Sequence, residues 1–244
     1  MLVLVHPRNP LNIGAAARAM TNFGVHRLRL VNPYAVAFRD ARSAVGAASV
    51  LKSAEEFKTV AEAIADCTLV VGTTAVRNRA LQVPLKQLNQ LTGAAIRKHV
   101  KSSRVALLFG SEKYGLSNED ISHCHWLLRI PTKETNISMN LGQAVAVCLY
   151  ELARGKPEKT AASKVELATA GDAEHITGLV LEALGISGYI KPNTDAMFEK
   201  KTRRLIIRQK FEAYDAKLLL GMVRQVVWKL RRGERNEEKN EEKK

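Results

Sequence analysis

Three short apolar runs, each ending in a glycine-bearing or polar loop, recur across the first two thirds of this 244-residue chain. Leu2–Val5 runs through His6 and Pro7 to Asn12-Ile13-Gly14-Ala15-Ala16-Ala17-Arg18. Val105–Phe109 opens directly into Gly110-Ser111-Glu112-Lys113-Tyr114-Gly115-Leu116. Residues 126–130 lead through Pro131 to Ser138-Met139-Asn140-Leu141. The first and third loops each open an alanine-containing apolar helix. Strand, loop and helix in that order commit the chain to an α/β fold with a mostly parallel, helix-covered sheet, because parallel neighbours need crossover connections. Such folds gather binding groups at the carboxyl ends of their strands, so three loops of this kind predict one crevice.

The remaining elements fill in the same alternation. The sequence predicts a helix over residues 12–23 stopped at Gly24, and strands at Leu28–Val31 and 68–71. Ser53 with Glu56 has the spacing of a capping box, predicting a helix to about residue 66. Leucine and isoleucine spacing predicts a helix over 85–100, Ser117 with Asp120 another capping box, and residues 139–152 a long helix. Residues 1–154 therefore form one α/β domain and 155–172 a polar linker. Residues 173–232 form a small helical domain, with helices near 172–184, 194–209 and 213–230. The apolar-free tail 233–244 is expected to be disordered.

Charge narrows the partners. The chain carries a net charge of +14, distributed as +9 over residues 1–154, −2 over 155–188, +8 over 189–232 and −1 over 233–244. Two basic blocks suit a polyanion. No apolar run reaches the length of a bilayer span, so nucleic acid is preferred to a membrane. Three widely spaced cysteines, Cys67, Cys124 and Cys148, fit a reducing cytoplasm rather than a disulfide framework.

Individual residues carry both plain and functional readings. Asn12 serves as a helix cap or as a site residue. Arg18, an isolated charge among alanines, is either a solvated surface arginine or a planar fork for phosphate. The first loop matches neither GxGxxG nor GxxxxGK[ST], so dinucleotide and nucleoside-triphosphate binding lack support. Gly110 and Gly115 bracket either an ordinary turn or a backbone loop that approaches a flat ligand, with Glu112 as a fixed acceptor. Ser138 and Asn140 are caps or, with residues 132–136, a binding loop. His123-Cys124-His125 does not have zinc-ligand spacing, and no metal is expected. Lys200, Lys201, Arg203, Arg204, Arg208 and Lys210 form the densest basic patch, fit for a nucleic-acid backbone.

Together the motifs resemble the knotted SPOUT RNA ribose methyltransferases of the TrmH type. Asn12-x-Gly14-x-x-x-Arg18, Gly110-x-Glu112-x-x-Gly115-Leu116, and Ile130-Pro131 with Ser138-x-Asn140-Leu141 are similar to that family's three motifs, in order. Thr73-Thr74-Ala75 resembles a fourth loop. Gly188-Tyr189-Ile190 and Lys200-Lys201-Thr202-Arg203-Arg204-Leu205 are similar to the helical extension of the members that modify tRNA at the 5′ start of the anticodon loop. The resemblance implies a SPOUT fold with a deep trefoil knot and a homodimer whose active site is completed across the interface. It implies S-adenosyl-L-methionine among Thr73, Thr74, Ala75, Gly110, Ile130, Ile137, Ser138 and Met139. It also implies Arg18 orienting and activating a ribose 2′-hydroxyl through the RNA phosphate, with Asn12, Glu112, Ser138 and Asn140 shaping the site. Lys200, Lys201, Arg203, Arg204 and Arg208 would hold tRNA. The alternatives are the same reaction on ribosomal RNA, or a non-catalytic RNA-binding protein of the same fold. The stretch Glu134-Thr135-Asn136-Ile137 departs from bacterial relatives, which often carry an aromatic and a second serine there.

Overall fold

The computed structural model describes residues 1–34, 38, 47–75, 83–133, 135, 137–154, 166–190 and 195–241. The chain divides into two units, Met1–Lys164 and Val165–Lys244.

In the first unit the described elements run β1 (Leu2–Val5), α1 (Pro10–Asn22), β2 (Leu28–Val31), α2 (Ala48–Lys52), β3 (Glu55–Phe57), α3 (Val60–Ile64), β4 (Leu69–Thr73), β5 (Leu85–Gln87), α4 (Gln90–Ser102), β6 (Val105–Phe109), α5 (Asn118–Ser122), β7 (Trp126–Arg129) and α6 (Leu141–Ala153). The strands form one seven-stranded sheet in the order β3-β2-β1-β6-β4-β7-β5, with every neighbouring pair parallel. Strands β1, β6 and β7 are buried along their whole length, and β4 up to Gly72. This is why they read as unbroken apolar runs rather than alternating ones. The order has a direct consequence for function. β1, β6, β4 and β7 are consecutive in the sheet, so the four loops leaving their carboxyl ends lie side by side although they are far apart in sequence.

Several expected boundaries move. Asn9, not Asn12, caps α1: its side chain accepts from the Leu11 amide at 2.9 Å, Pro10 takes the first helical position, and Asn12 falls in the first turn. Ser53 ends α2 instead of opening a helix, because Glu55–Phe57 pairs with β2 as an edge strand. The capping box is formed four residues after Glu55, where Thr59 Oγ1 accepts from the Glu62 amide and Glu62 Oε2 from the Thr59 amide, both at 3.2 Å. Leu85–Gln87 is not helical but pairs with β7, and α4 begins after the Asn89 cap. The spacing of Leu85, Leu88 and Leu91 imitates a helical stripe, yet Leu88 is buried and Leu91 is 82% exposed. The capping box of Ser117 and Asp120 forms as predicted.

Across the amino ends of the strands, Arg29 is nearly buried and is held by three partners. It pairs with Glu55 at 3.2 Å and with Asp66 at 2.5 Å, and donates to the Ala63 carbonyl at 2.9 Å. Arg104 also reaches Asp66. The hydrogen-bonded Arg29 guanidinium holds the Asp66 carboxyl well below the usual carboxylate range. A depressed carboxylate stabilises the fold above its unfolded pKa, about 4, and that contribution is lost as pH falls further. Asp66→Asn is expected to destabilise the protein by about 2 kcal/mol at neutral pH, since it leaves the nearly buried Arg29 charge with the half-exposed Glu55 as its remaining carboxylate partner among the described residues. In denaturant titrations the gap from wild type should narrow steadily below about pH 4. A gap that stays constant with pH would contradict this account.

The second unit contains α7 (Ala170–Ile186), α8 (Asp195–Gln209) and α9 (Ala213–Glu241). Its core is Ile176, Ile206 and Ala216, with Val180, Phe211, Leu219 and Leu220 packed on it. The segment expected as linker is shorter than 155–172 at its far end. Leu167 bridges Glu212, and Thr169 caps α7 in a reciprocal box with Asp172. Residues 155–165 and the Thr194 helix start lie outside the described residues. The tail departs from expectation as well, because α9 continues to Glu241. Segment 234–241 is made of Glu, Lys, Arg and Asn without proline, and the first three are good helix formers that extend a helix already nucleated by packing. None of the described helices is long and apolar enough to cross a membrane.

Candidate functional site

The four loops enclose a cavity of about 450 Å³ at the carboxyl ends of the central strands. Asn12, Thr73, Thr74, Ala75, Gly110, Glu112, Ile130, Ile137, Ser138, Met139 and Asn140 all line it. Every residue expected at the site, apart from Arg18 and the basic patch of the second unit, is therefore brought to one place.

A hydrogen-bonded chain ties three loops together across this cavity. Asn140 Nδ2 donates to Asn12 Oδ1 at 2.7 Å, and Asn12 Nδ2 donates to Glu112 Oε1 at 3.1 Å. The same carboxylate accepts from the Asn9 amide at 3.2 Å through Oε1 and from the Arg8 amide at 3.3 Å through Oε2. Both oxygens of Glu112 are thus engaged, and its part is to fix the loop after β1 against the loop after β6. Asn140 also caps α6, accepting from the Gln143 amide at 3.3 Å. Its two roles, cap and site residue, coexist because one amide group has both a donor and an acceptor end.

The Gly110 loop forms the floor. It folds back on itself so that the Gly115 amide donates to the Ser111 carbonyl at 2.8 Å, with Gly115 at φ +67°. A Cβ on Gly110 would lie 2.0 Å from the Gly115 carbonyl carbon and 2.1 Å from the Leu116 nitrogen, so only glycine fits. On the β4 side, Thr73 Oγ1 donates to the Leu108 carbonyl at 2.9 Å and the Thr74 amide to the Leu128 carbonyl at 3.0 Å. Thr132 was visible in sequence only as part of a polar stretch. It lines the cavity with a buried hydroxyl that has no hydrogen-bond partner among the described residues. Glu134 and Asn136 of that stretch lie outside the described residues.

Arg18 does not line the cavity. It is exposed on α1, in the same stripe as exposed Leu11 and Ala15. α1 packs beside α6, where Phe23 meets Tyr150 edge to face at 6.3 Å, and α6 exposes Gln143, Val147 and Tyr150 at matching intervals. His123, Cys124 and His125 are used separately within the fold. His123 Nε2 lies 3.6 Å from Glu119 Oε1, Cys124 Sγ donates to the Asp120 carbonyl at 3.5 Å, and His125 Nδ1 accepts from the Val70 amide at 3.1 Å. Burial pushes the Cys67 and Cys148 thiols up to about 12, which suits inert core cysteines.

The basic patch of α8 is corrected in part. Lys201 and Arg208 are exposed and Lys200 is half-buried, but Arg203 is 2% and Arg204 5% exposed. Arg203 Nε and Nη2 donate to the two oxygens of Glu174 at 2.8 and 2.9 Å, and Nη2 also reaches Glu199 at 2.5 Å. Consecutive positions 203–204 and 206–207 turn inward toward α7, which a charge run read along the sequence does not reveal. Arg203→Ala is therefore expected to lower stability by about 2 kcal/mol, less than a fully buried pair because the glutamates stay partly hydrated. The salt dependence of RNA binding should keep its slope. A slope reduced by about 0.7–0.9 log units would instead restore a phosphate contact to Arg203.

The sequence profile of the SpoU rRNA Methylase family matches residues 1–150. The tRNA (cytidine/uridine/adenosine-2′-O-)-methyltransferase TrmJ of Pseudomonas aeruginosa is 33% identical over 235 residues, covering 91% of each chain. The tRNA (cytidine/uridine-2′-O-)-methyltransferase TrmJ of Cronobacter sakazakii is 34% identical, covering 91% of this chain and 93% of its own. Among solved structures, TrmJ from Z. mobilis superposes with a TM-score of 0.80 at 32% identity, covering 92% of this chain and 97% of that one.

Proposed function

The chain belongs to the SpoU methylase family, and from that premise we propose that it transfers the methyl group of S-adenosyl-L-methionine to a ribose 2′-hydroxyl of tRNA. The observation that carries the reading is the Asn140–Asn12–Glu112 chain, which welds three sequence-distant loops around one cavity. The tRNA substrate is favoured over ribosomal RNA by coverage. The family profile stops at residue 150, whereas the TrmJ relatives align over 91% of the chain.

The residues present fit the methyl donor. The cavity lies in the range of small-molecule sites. Gly110 lets the loop after β6 close tightly on Gly115 and Leu116 as the cavity floor, and the buried Thr132 hydroxyl has no hydrogen-bond partner among the described residues. Thr73, Thr74, Ala75, Gly110, Ile130, Ile137, Ser138 and Met139 would hold it, with Thr132 added. When bound, S-adenosyl-L-methionine supplies an electrophilic methyl group on a sulfonium. The chain's own contribution is placement, and alignment alone supplies a large part of such a rate. Asn12, Glu112 and Asn140 keep the loops in register. Arg18 grips the RNA phosphate with its guanidinium fork and sets the ribose hydroxyl in line. In this reading Arg18 belongs to a homodimer's shared site, and Leu11, Val147 and Tyr150, exposed beside it, supply apolar contact. The family's trefoil knot, a cytoplasmic location and methylation at the 5′ start of the anticodon loop are parts of the same proposal.

The test is mass mapping of tRNA and of ribosomal RNA, each incubated with the protein and a deuterium-labelled methyl donor. A labelled 2′-O-methyl nucleotide opening the anticodon loop is expected. Label confined to ribosomal RNA, or none in either RNA, would overturn the reading.

A further inference from the structure

The outer face of α9 is unusual for a helix of a small domain. Ala216 and Val227 are buried against the rest of the unit. On the opposite side Tyr214, Leu218, Met222 and Trp228 are 76%, 49%, 56% and 48% exposed. At 100° per residue these four positions fall on one side of the helix, along a length of roughly 20 Å. Cations are interleaved with them. Lys217 and Lys229 are exposed at the same turns, and Arg232 stacks over the Trp228 ring at 4.8 Å. Asp215 is the single acidic residue between positions 213 and 233.

An apolar helix face in water calls for an occupant. A second copy of α9 is a poor one, because segment 213–233 carries Lys217, Arg224, Lys229, Arg231 and Arg232 against Asp215 alone, so two such helices would set like charges side by side. Polyanion complementarity is good. Aromatic rings set among cations are the device by which proteins hold unpaired nucleotides, the rings stacking on bases and the cations meeting phosphates. Paired RNA offers no free base faces. We infer that this face of α9 is the docking surface for unpaired nucleotides of the RNA substrate, with Trp228 as its stacking platform. The inference rests on the tRNA reading and relocates the second unit's contact from the inward-turned Arg203 and Arg204 to α9.

The test uses the full chain and bulk tRNA. The protein has two tryptophans, and Trp126 is buried, so tRNA quenching of fluorescence reports on Trp228. Wild type is expected to be quenched on titration. Trp228→Ala should lose that quenching and bind tRNA about 10-fold more weakly or worse. Trp228→Phe should lose the quenching but keep the affinity, since phenylalanine also stacks. In methyl transfer, Trp228→Ala should raise the KM for tRNA and leave kcat within about 2-fold, because the residue lies on the second unit and outside the donor cavity. A second variant, Lys229→Glu with Arg232→Glu, should weaken binding and flatten its salt dependence. Unchanged tRNA affinity in Trp228→Ala overturns the inference. So does sedimentation of RNA-free Trp228→Ala as a smaller species than wild type, which would assign the face to a second copy. Wild type that binds and quenches with tRNA but never methylates it would sink the enzymatic reading while leaving this surface standing.

Discussion

Arg18→Ala is expected to lower methyl transfer by about 100-fold or more while the affinity for S-adenosyl-L-methionine stays within 2-fold. The two halves of this expectation come from separate observations. Arg18 is exposed on α1 and absent from the lining of the cavity, so removing it leaves the donor's surroundings intact. Its stripe with Leu11 and Ala15 is exposed on α1, and under the proposed reading a guanidinium there meets the RNA phosphate. Calorimetry with the methyl donor and single-turnover assays with tRNA separate the two. Near-normal turnover with intact donor binding would remove Arg18 from the catalytic machinery. Mixed dimers go further. A chain carrying Arg18→Ala keeps a sound cavity, and a chain carrying Gly110→Ala keeps Arg18. If the site is completed across the interface, co-expressing the two restores activity that neither has alone. If Arg18 serves its own chain's cavity, mixing restores nothing.

The parts of this protein that sequence made legible are those where local and global demands coincide. Buried parallel strands must be continuous apolar runs, so β1, β4, β6 and β7 stood out. Loops at the carboxyl ends of parallel strands gather binding groups, so the segments holding Asn12, Glu112, Ser138 and Asn140 stand out, and the family resemblance singles out these residues within them; all four line one cavity. What sequence hid was pairing at the edges and direction around helices. β3 and β5 are three-residue edge strands with no apolar run to announce them. Glu55 faces outward until Arg29, twenty-six positions earlier, gives it a partner. Arg203 and Arg204 sit in a run of like charges, and only the packing of α8 on α7 shows that they turn inward to meet Glu174 and the unit's interior. The apolar stripe of α9 escaped notice for the converse reason, since tyrosine, leucine, methionine and tryptophan at helical spacing read as core until their exposure is measured.

Gly110→Ala is expected to abolish measurable binding of the methyl donor, a loss of at least about 100-fold, with the fold retained. The added methyl group would stand 2.0 to 2.4 Å from three backbone atoms of Gly115 and Leu116. None of these is the end of a flexible side chain, so the relief is to open the loop and break the hydrogen bond from the Gly115 amide to the Ser111 carbonyl. That loop is the floor of the cavity and carries Glu112, whose carboxylate anchors Asn12 and through it Asn140. One methyl group thus loosens three of the four loops of the site at once. The sheet should survive, because β6 ends at Phe109 and Ser117 independently caps the next helix. Gly115→Ala provides the contrast. Its φ of +67° costs an alanine about 1–2 kcal/mol, but nothing lies within 4 Å of the new Cβ. It should therefore lose a few degrees of melting temperature and about 10-fold or less in donor affinity. Calorimetric titration of both variants, with circular dichroism to check the fold, decides the matter. Donor binding by Gly110→Ala as tight as wild type would mean that this loop is not where the methyl donor rests.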